Sequence, residues 1–164
     1  MSKSILYTTD TNTTTGYREA TLEEIMAGAR SALASRVRKG TVFTSPKLTA
    51  DYLRTHLATL EHEVFTLIFV DNRHRFIARE ELFRGTIDGA SVHPREVVKE
   101  ALKHNAAAVI LAHNHPSGVA EPSMADERIT HRLRDALALV DIRVLDHLIV
   151  AGGDITSLAE RGLL

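Results

Sequence analysis

The longest unbroken apolar run in the chain, AAAVILA at residues 106 to 112, ends directly on a histidine pair at 113 and 115. A membrane span needs about 20 apolar residues, so this shorter run reads as a buried core strand. Side chains two apart on a strand point to the same side. His113 and His115 can therefore converge on one point while Asn114 faces away. The loop that follows is shaped by Pro116, Gly118 and Pro122. It leads to Ser123 and Asp126 at the head of a helix striped by Ile129, Leu133, Leu137 and Val140. A fold that accepts this segment must bring a strand end and a helix start together.

That juxtaposition has a chemical meaning. His113, His115 and Asp126 offer three ligands to one divalent cation and leave a coordination position open for water. An open position separates a catalytic metal site from a structural one. Cysteine is absent, which excludes disulfides and thiolate zinc sites and leaves His, Asp and Glu as the donors. Two structural readings stand beside this one. Ser-x-x-Asp ahead of an apolar helix approximates a capping box, and a strand His-x-His pair can be satisfied by backbone. The cap and the metal reading can hold together, because the cap would fix the helix start that aims Asp126. A zinc-bound water, its pKa lowered toward about 7, needs a carboxylate to take its proton. Glu61 and Glu63 head the segment EVFTLIFV, and alternation puts Glu63 on the face of Phe65, Leu67 and Phe69. These residues alone do not choose Glu63 over Glu61, Glu80 or Glu81.

The 164 residues, 44% hydrophobic and 25% charged, suffice for one ordinary core. Residues 1–20 contain the polar run TTDTNTTTG and read as a flexible N-terminal tail. Residues 21–42 read as an N-terminal helix starting at Thr21, with Glu24 as capping-box partner, a stripe of Leu22, Ile25, Ala29 and Leu33, and Gly40 past its end. Residues 43–164 form the main domain. There, Ser45-Pro46 opens a helix to about Leu60, with Leu48, Tyr52, Leu53, Leu57 and Leu60 as its apolar face. Residues 63–71 form a buried strand, and 74–87 a second, bulged or bent one. Pro94 to about His104 is a helix with Val97, Val98, Ala101 and Leu102 inward, 142–152 is the last long strand, and SLAERGLL is a short helical tail. The expected class is mixed α/β, a mixed sheet with helices packed on it.

Partners are constrained by charge. A formal net charge of -1 supplies no global field toward DNA or anionic lipid. The N-terminus carries no stretch of signal-peptide length, so a soluble cytoplasmic protein without a membrane partner is expected. Arginine clusters at 73, 75, 79 and 84, and at 128, 132 and 134, are interleaved with acids and read as solvated surface. Nothing specifies an oligomeric state.

HNHPSG with the downstream PSxxD resembles the JAMM motif of MPN+ metalloproteases, in the form found in bacterial RadC-type proteins. The similarity extends across EVFTLIFVDNRHRFI, LFRGTIDGASVHPREVVKEAL, AAVILAHNHPSG and VLDHLIVAGG, roughly residues 45 to 164. The resemblance implies a cytidine-deaminase-like α/β/α sandwich of MPN/JAMM type. It implies zinc on His113, His115 and Asp126, Glu63 as the base, and a hydrogen bond from Ser123 to the tetrahedral oxyanion. The implied activity is that of a zinc metallopeptidase or isopeptidase acting on a peptide or protein. The alternative is a RadC-like DNA repair or DNA-processing accessory protein whose metal acts on nucleic acid or is structural. Full-length RadC proteins carry a helix-hairpin-helix module, whose glycine hairpin is missing from the segment before residue 45, so the likeness is to short forms without it. His93, Asp146 and His147 also fall in family-like segments. Each is a candidate partner standing behind the metal ligands, against the plainer readings that His93 caps a helix and His147 is a satisfied core histidine.

Overall fold

The runs read as buried strands lie side by side in a five-stranded sheet whose order is β4-β3-β5-β6-β7. The computed structural model describes residues 6–42, 46–85 and 92–164, and the chain divides into two units at Arg36/Val37. In the larger unit, helix α2 (Pro46–Leu57) precedes strands β3 (Val64–Val70) and β4 (Phe76–Arg84). Helix α3 (Pro94–Lys103), strand β5 (Ala108–Asn114) and helix α4 (Met124–Ala138) follow, then strands β6 (Arg143–Ala151) and β7 (Asp154–Ser157). Strand β3 is antiparallel to both β4 and β5, β5 is parallel to β6, and β7 returns antiparallel to β6. The sheet is mixed, as expected.

Layering follows from alternation. Phe65, Leu67 and Phe69 of β3 and Val109 and Leu111 of β5 share one face. They form a single buried cluster with Val97 and Ala101 of α3 and Leu133 and Leu137 of α4. The even-numbered residues of β3 and β5 point the other way, and the opposite layer is α2, which buries Thr49, Tyr52, Leu53 and Leu57. Both central strands are buried along their whole length, as strands covered on two faces must be. Strand β4 is bulged against β3, with register shifts at Phe65/Thr66 and Phe69/Val70.

Several expectations need correction. The tail expected over residues 1–20 contains a hairpin: β1 (Tyr7–Thr9) pairs antiparallel with β2 (Tyr17–Glu19). Its turn is held by Asp10, whose backbone accepts from the Thr13 hydroxyl and whose carboxylate accepts from the Asn12 N–H, the local bonding that lets short polar residues order a turn. The helix expected over 21–42 is α1 (Leu22–Arg36). Its Thr21/Glu24 capping box is present, but Leu22 is exposed. Gly40 and Thr41 instead bond to the backbone of Phe76, and Val42 bridges to Arg75. Ser45 and residues 86–87 lie outside the described residues. On α3 Val97 and Ala101 are buried, whereas Leu102 is 54% exposed, because positions four apart share the inward stripe and 102 lies off it. The expected helical tail, residues 157–164, instead contributes Ser157 to the end of strand β7 and then runs through turns. Among the described residues no helix is long and apolar enough to cross a membrane.

Candidate metal centre

Strand β5 delivers its histidines at its C-terminal end, beside the N-terminus of α4, in a β–loop–α–β unit with a parallel partner. Carboxyl ends of such strands are the usual place for a site in open α/β sheets. His113 is 1% exposed and sits across the ladder from Phe65 on one side and Ile149 on the other. His115 follows the last strand residue, and its N–H is held by the Val150 carbonyl at 2.9 Å. The loop then turns at Gly118, whose φ of 81° suits a residue without Cβ. That turn brings the Val119 carbonyl 2.7 Å from His115 Nδ1. A carbonyl only accepts, so His115 carries its proton on Nδ1 and turns Nε2 inward.

Asp126 arrives through the cap. Ser123 is the N-cap of α4 with extended backbone, and the full capping box is formed. Ser123 Oγ accepts from the Asp126 N–H at 3.2 Å, while Asp126 Oδ2 accepts from the Ser123 N–H at 2.7 Å and from its hydroxyl at 2.6 Å. The free carboxylate edge lies at the positive end of the helix and faces both imidazoles. His113 Nε2 is 3.1 Å from Asp126 Oδ1, His115 Nε2 is 3.6 Å from Asp126 Oδ2, and the two Nε2 atoms are 2.9 Å apart. The predicted structural role of Ser123 and Asp126 is therefore present together with the convergence. Ser123→Ala is expected to cost about 0.5–2 kcal/mol in a denaturant melt, the usual worth of an N-cap; an unchanged midpoint would show the cap to be idle.

These three groups are the set among the described residues whose ligand atoms lie close enough together for one ion, all within 4.8 Å of one another. Tetrahedral coordination with bonds of about 2.0–2.1 Å separates neighbouring ligand atoms by about 3.3 Å, and the observed spacings fall on either side of that value. Electrostatics agrees. Burial pushes the Asp126 carboxyl up, but the two imidazoles that face it, His113 and His115, outweigh burial and hold the group well below the usual carboxylate range. The Asp126 carboxylate facing it raises the His115 pKa against its burial, with help from the Val119 carbonyl and the Glu63 charge. The carboxylate and two inward nitrogens call for positive charge at their centre, and the donor set fits a divalent cation.

Glu63 sits just before β3, half-buried, rather than inside the strand. Carrying the Phe65↔His113 register two residues further sets Glu63 across from His115, consistent with the charge it exerts there. Sequence reasoning had the strand alternation and the family resemblance, and missed what holds this segment. Asn114, on the opposite face of β5, donates its amide to the His62 carbonyl at 3.0 Å and accepts from the Val64 N–H at 2.8 Å. The Glu63 carbonyl itself accepts from the Gly85 N–H. Its backbone is thus clamped from both neighbouring strands. Glu80 bears on His104 and Glu81 on Arg79, away from the histidine pair.

The flanking candidates separate. His93 is the N-cap residue of α3 but makes no side-chain cap; its ring meets Phe83 edge-on at 6.0 Å. Asp146, its pKa raised by burial, accepts from the Ser157 hydroxyl and the His147 and Ala159 N–H groups, which ties the chain after β7 to β6. His147 is buried and bonded to His113 and Thr130.

A three-layer α/β domain with a His-His-Asp cluster between a strand end and a helix cap is the class these features define. The family model of the RadC-like JAB domain matches residues 43–163, and the chain belongs to that family, with its JAMM-type metal-binding fold. It is 64% identical over 143 residues to a UPF0758 protein of Nitrosococcus oceani, covering 87% of this chain and 64% of that protein. A UPF0758 protein of Methylibium petroleiphilum is 60% identical over 147 residues, with 90% and 66% covered. One of Vibrio cholerae is 59% identical over 141 residues, with 86% and 63% covered. The chain thus spans a little under two thirds of the length of these relatives.

Proposed function

We propose that this domain is a zinc-dependent hydrolase of the JAMM type, a metallopeptidase or isopeptidase. The observation that carries the reading is the convergence of His113 Nε2, His115 Nε2 and an Asp126 oxygen around one point that the Glu63 charge also reaches. His113, His115 and Asp126 would hold the metal. When bound, zinc supplies a Lewis acid that polarises a carbonyl and makes water acidic enough to ionise near neutral pH.

The remaining chemistry belongs to the chain. Glu63, aligned with His115 and braced through Asn114 and Gly85, takes the proton from the attacking water and returns it to the leaving amine. Ser123 has its hydroxyl at the mouth of the site, exposed and fixed by the cap. On swinging from Asp126 toward substrate it can donate to a developing oxyanion. Val119 and Met124, close in sequence to these groups, are exposed apolar side chains, which supports a peptide over a phosphate backbone as substrate. Three of the seven arginines of the alternative nucleic-acid reading are held by acids, Arg75 by Asp71, Arg79 by Glu81 and Arg134 by Asp135.

Glu63→Gln is the discriminating variant. It is expected to keep one zinc per chain while hydrolysis of a panel of fluorogenic peptides and isopeptides falls by about 10²–10⁴, the usual contribution of a general base. Undiminished turnover with zinc in place would remove Glu63 from the mechanism, and a wild-type chain purified without chelators and empty of zinc would remove the mechanism itself.

A further inference from the structure

We infer that His147, seated by Thr130, is a positioning residue that fixes the tautomer and aim of His113, and so makes one of the metal ligands competent before any metal arrives. This rests on the zinc reading above. The argument is a count of protons along a buried chain of three hydrogen bonds. Thr130 has one hydroxyl proton, and it is donated to the Asp126 carbonyl at 2.5 Å. Toward His147 the same oxygen can therefore only accept, so the 2.5 Å contact requires a proton on His147 Nδ1. His147 is fully enclosed, its ring edge-on to Phe65 at 5.4 Å, and an imidazole in such surroundings is neutral. Its Nε2 then carries a lone pair. The 2.8 Å contact from that atom to His113 Nδ1 is filled by a proton belonging to His113, and His113 Nε2 is left bare, facing Asp126 and His115.

The chain closes a circuit. It begins on the backbone of one candidate ligand, Asp126, and ends on the ring of another, His113, passing through α4, β6 and β5. His115 obtains the same tautomer from the Val119 carbonyl on its loop; His113 lies too deep for a loop carbonyl to serve. Metal-bound histidines usually lean on a carboxylate or a backbone carbonyl. A buried carboxylate at 147 would need its own counter-charge, whereas a neutral imidazole orients His113 and leaves the positive charge of the metal to Asp126 and the substrate. Without the acceptor at 147, His113 can place its proton on Nε2, and that form binds no cation.

The test reads zinc affinity by competition with a chromophoric chelator, together with long-range ¹H–¹⁵N spectra of the imidazoles. His147→Phe keeps a ring in the box and removes the acceptor; zinc binding is expected to weaken by about 10–100-fold, as loss of such outer partners does. His147→Gln returns a carbonyl oxygen at similar reach and is expected to recover most of that loss, which a mere packing role would not allow. In the zinc-loaded wild type, His113 and His147 are both expected to be protonated at Nδ1, a readout that survives even if the phenylalanine variant fails to fold. A wild type that holds zinc with His147 protonated at Nε2, or a folded His147→Phe that binds zinc as tightly as wild type, overturns this inference alone. A wild type that binds no zinc overturns the underlying reading as well.

Discussion

Asp126→Ala is expected to abolish stoichiometric zinc and hydrolysis together while leaving the domain folded. The carboxylate is the only anionic member of the cluster, it is 13% exposed, and its Oδ1 lies 3.1 Å from His113 Nε2. Removing it deletes a ligand and the negative charge that offsets the cation, so the loss of affinity should exceed the about 10–100-fold typical of outer-sphere changes. The same residue closes the α4 capping box. Its alanine variant should therefore also lose about 1 kcal/mol of stability, within the range measured for helix caps. Asp126→Asn separates the two roles. Its amide oxygen can still accept from Ser123, so the melt in chelator should match wild type, yet the charge is gone. The measurement is the zinc-to-protein ratio after gel filtration against a weak chelator. An asparagine variant that retains one zinc per chain would show that the carboxylate's charge does not hold the ion.

The cluster was legible because its placement depends on two short-range rules, period-two alternation along β5 and capping at α4, and neither needs tertiary information. Glu63 was half legible. Alternation put it on the right face, but Asn114, which clamps the segment before β3, acts across 50 positions of sequence, and no local pattern reports that. His147 was a candidate from its segment, but its partner was hidden by a register shift. β5 and β6 run in step as far as Val109↔Val144 and then skip to Ile110↔Asp146, so Leu111 pairs with His147. Without that extra residue Asp146 would stand level with Leu111. The bulge, a feature of pairing rather than of composition, turns the imidazole onto the face of His113. The hairpin before α1 escaped for a different reason. Its strands have three residues each and bury no apolar stripe, while the Arg18 salt bridge to Glu24 at 2.6 Å joins β2 to α1 through groups that read as ordinary surface charge. Strand β7 went unread because it has only four residues, and SLAERGLL, which begins on its last residue, has an apolar spacing that suits a helix; Leu158 is buried in the turn that follows the strand.

Phe65→Ala should have the largest effect on the fold and should reach the metal centre without touching it. The ring is 2% exposed, stacks on His113 at 6.0 Å with planes 13° apart, and meets His147 and Phe83 edge-on. Truncating a buried phenylalanine typically costs about 3–5 kcal/mol, from lost transfer energy and the cavity left behind. Whole domains are stable by only about 5–15 kcal/mol. For a unit of this size, that loss lowers the melting temperature by roughly 10–20 °C. The cavity would open beside the two imidazoles whose mutual hydrogen bond aims His113, so zinc affinity should fall as well. Phe65→Leu restores most of the volume but no aromatic face. It should recover most of the stability while lacking the about 0.5–1.5 kcal/mol that an aromatic pair adds. If zinc binding tracks the packing, the leucine variant will bind nearly as wild type does; if it tracks the stacked ring, the leucine variant will bind as weakly as alanine. A melting temperature within a few degrees of wild type for Phe65→Ala would mean that β3 and β5 close over the gap, and that the core does not hold the histidines in place.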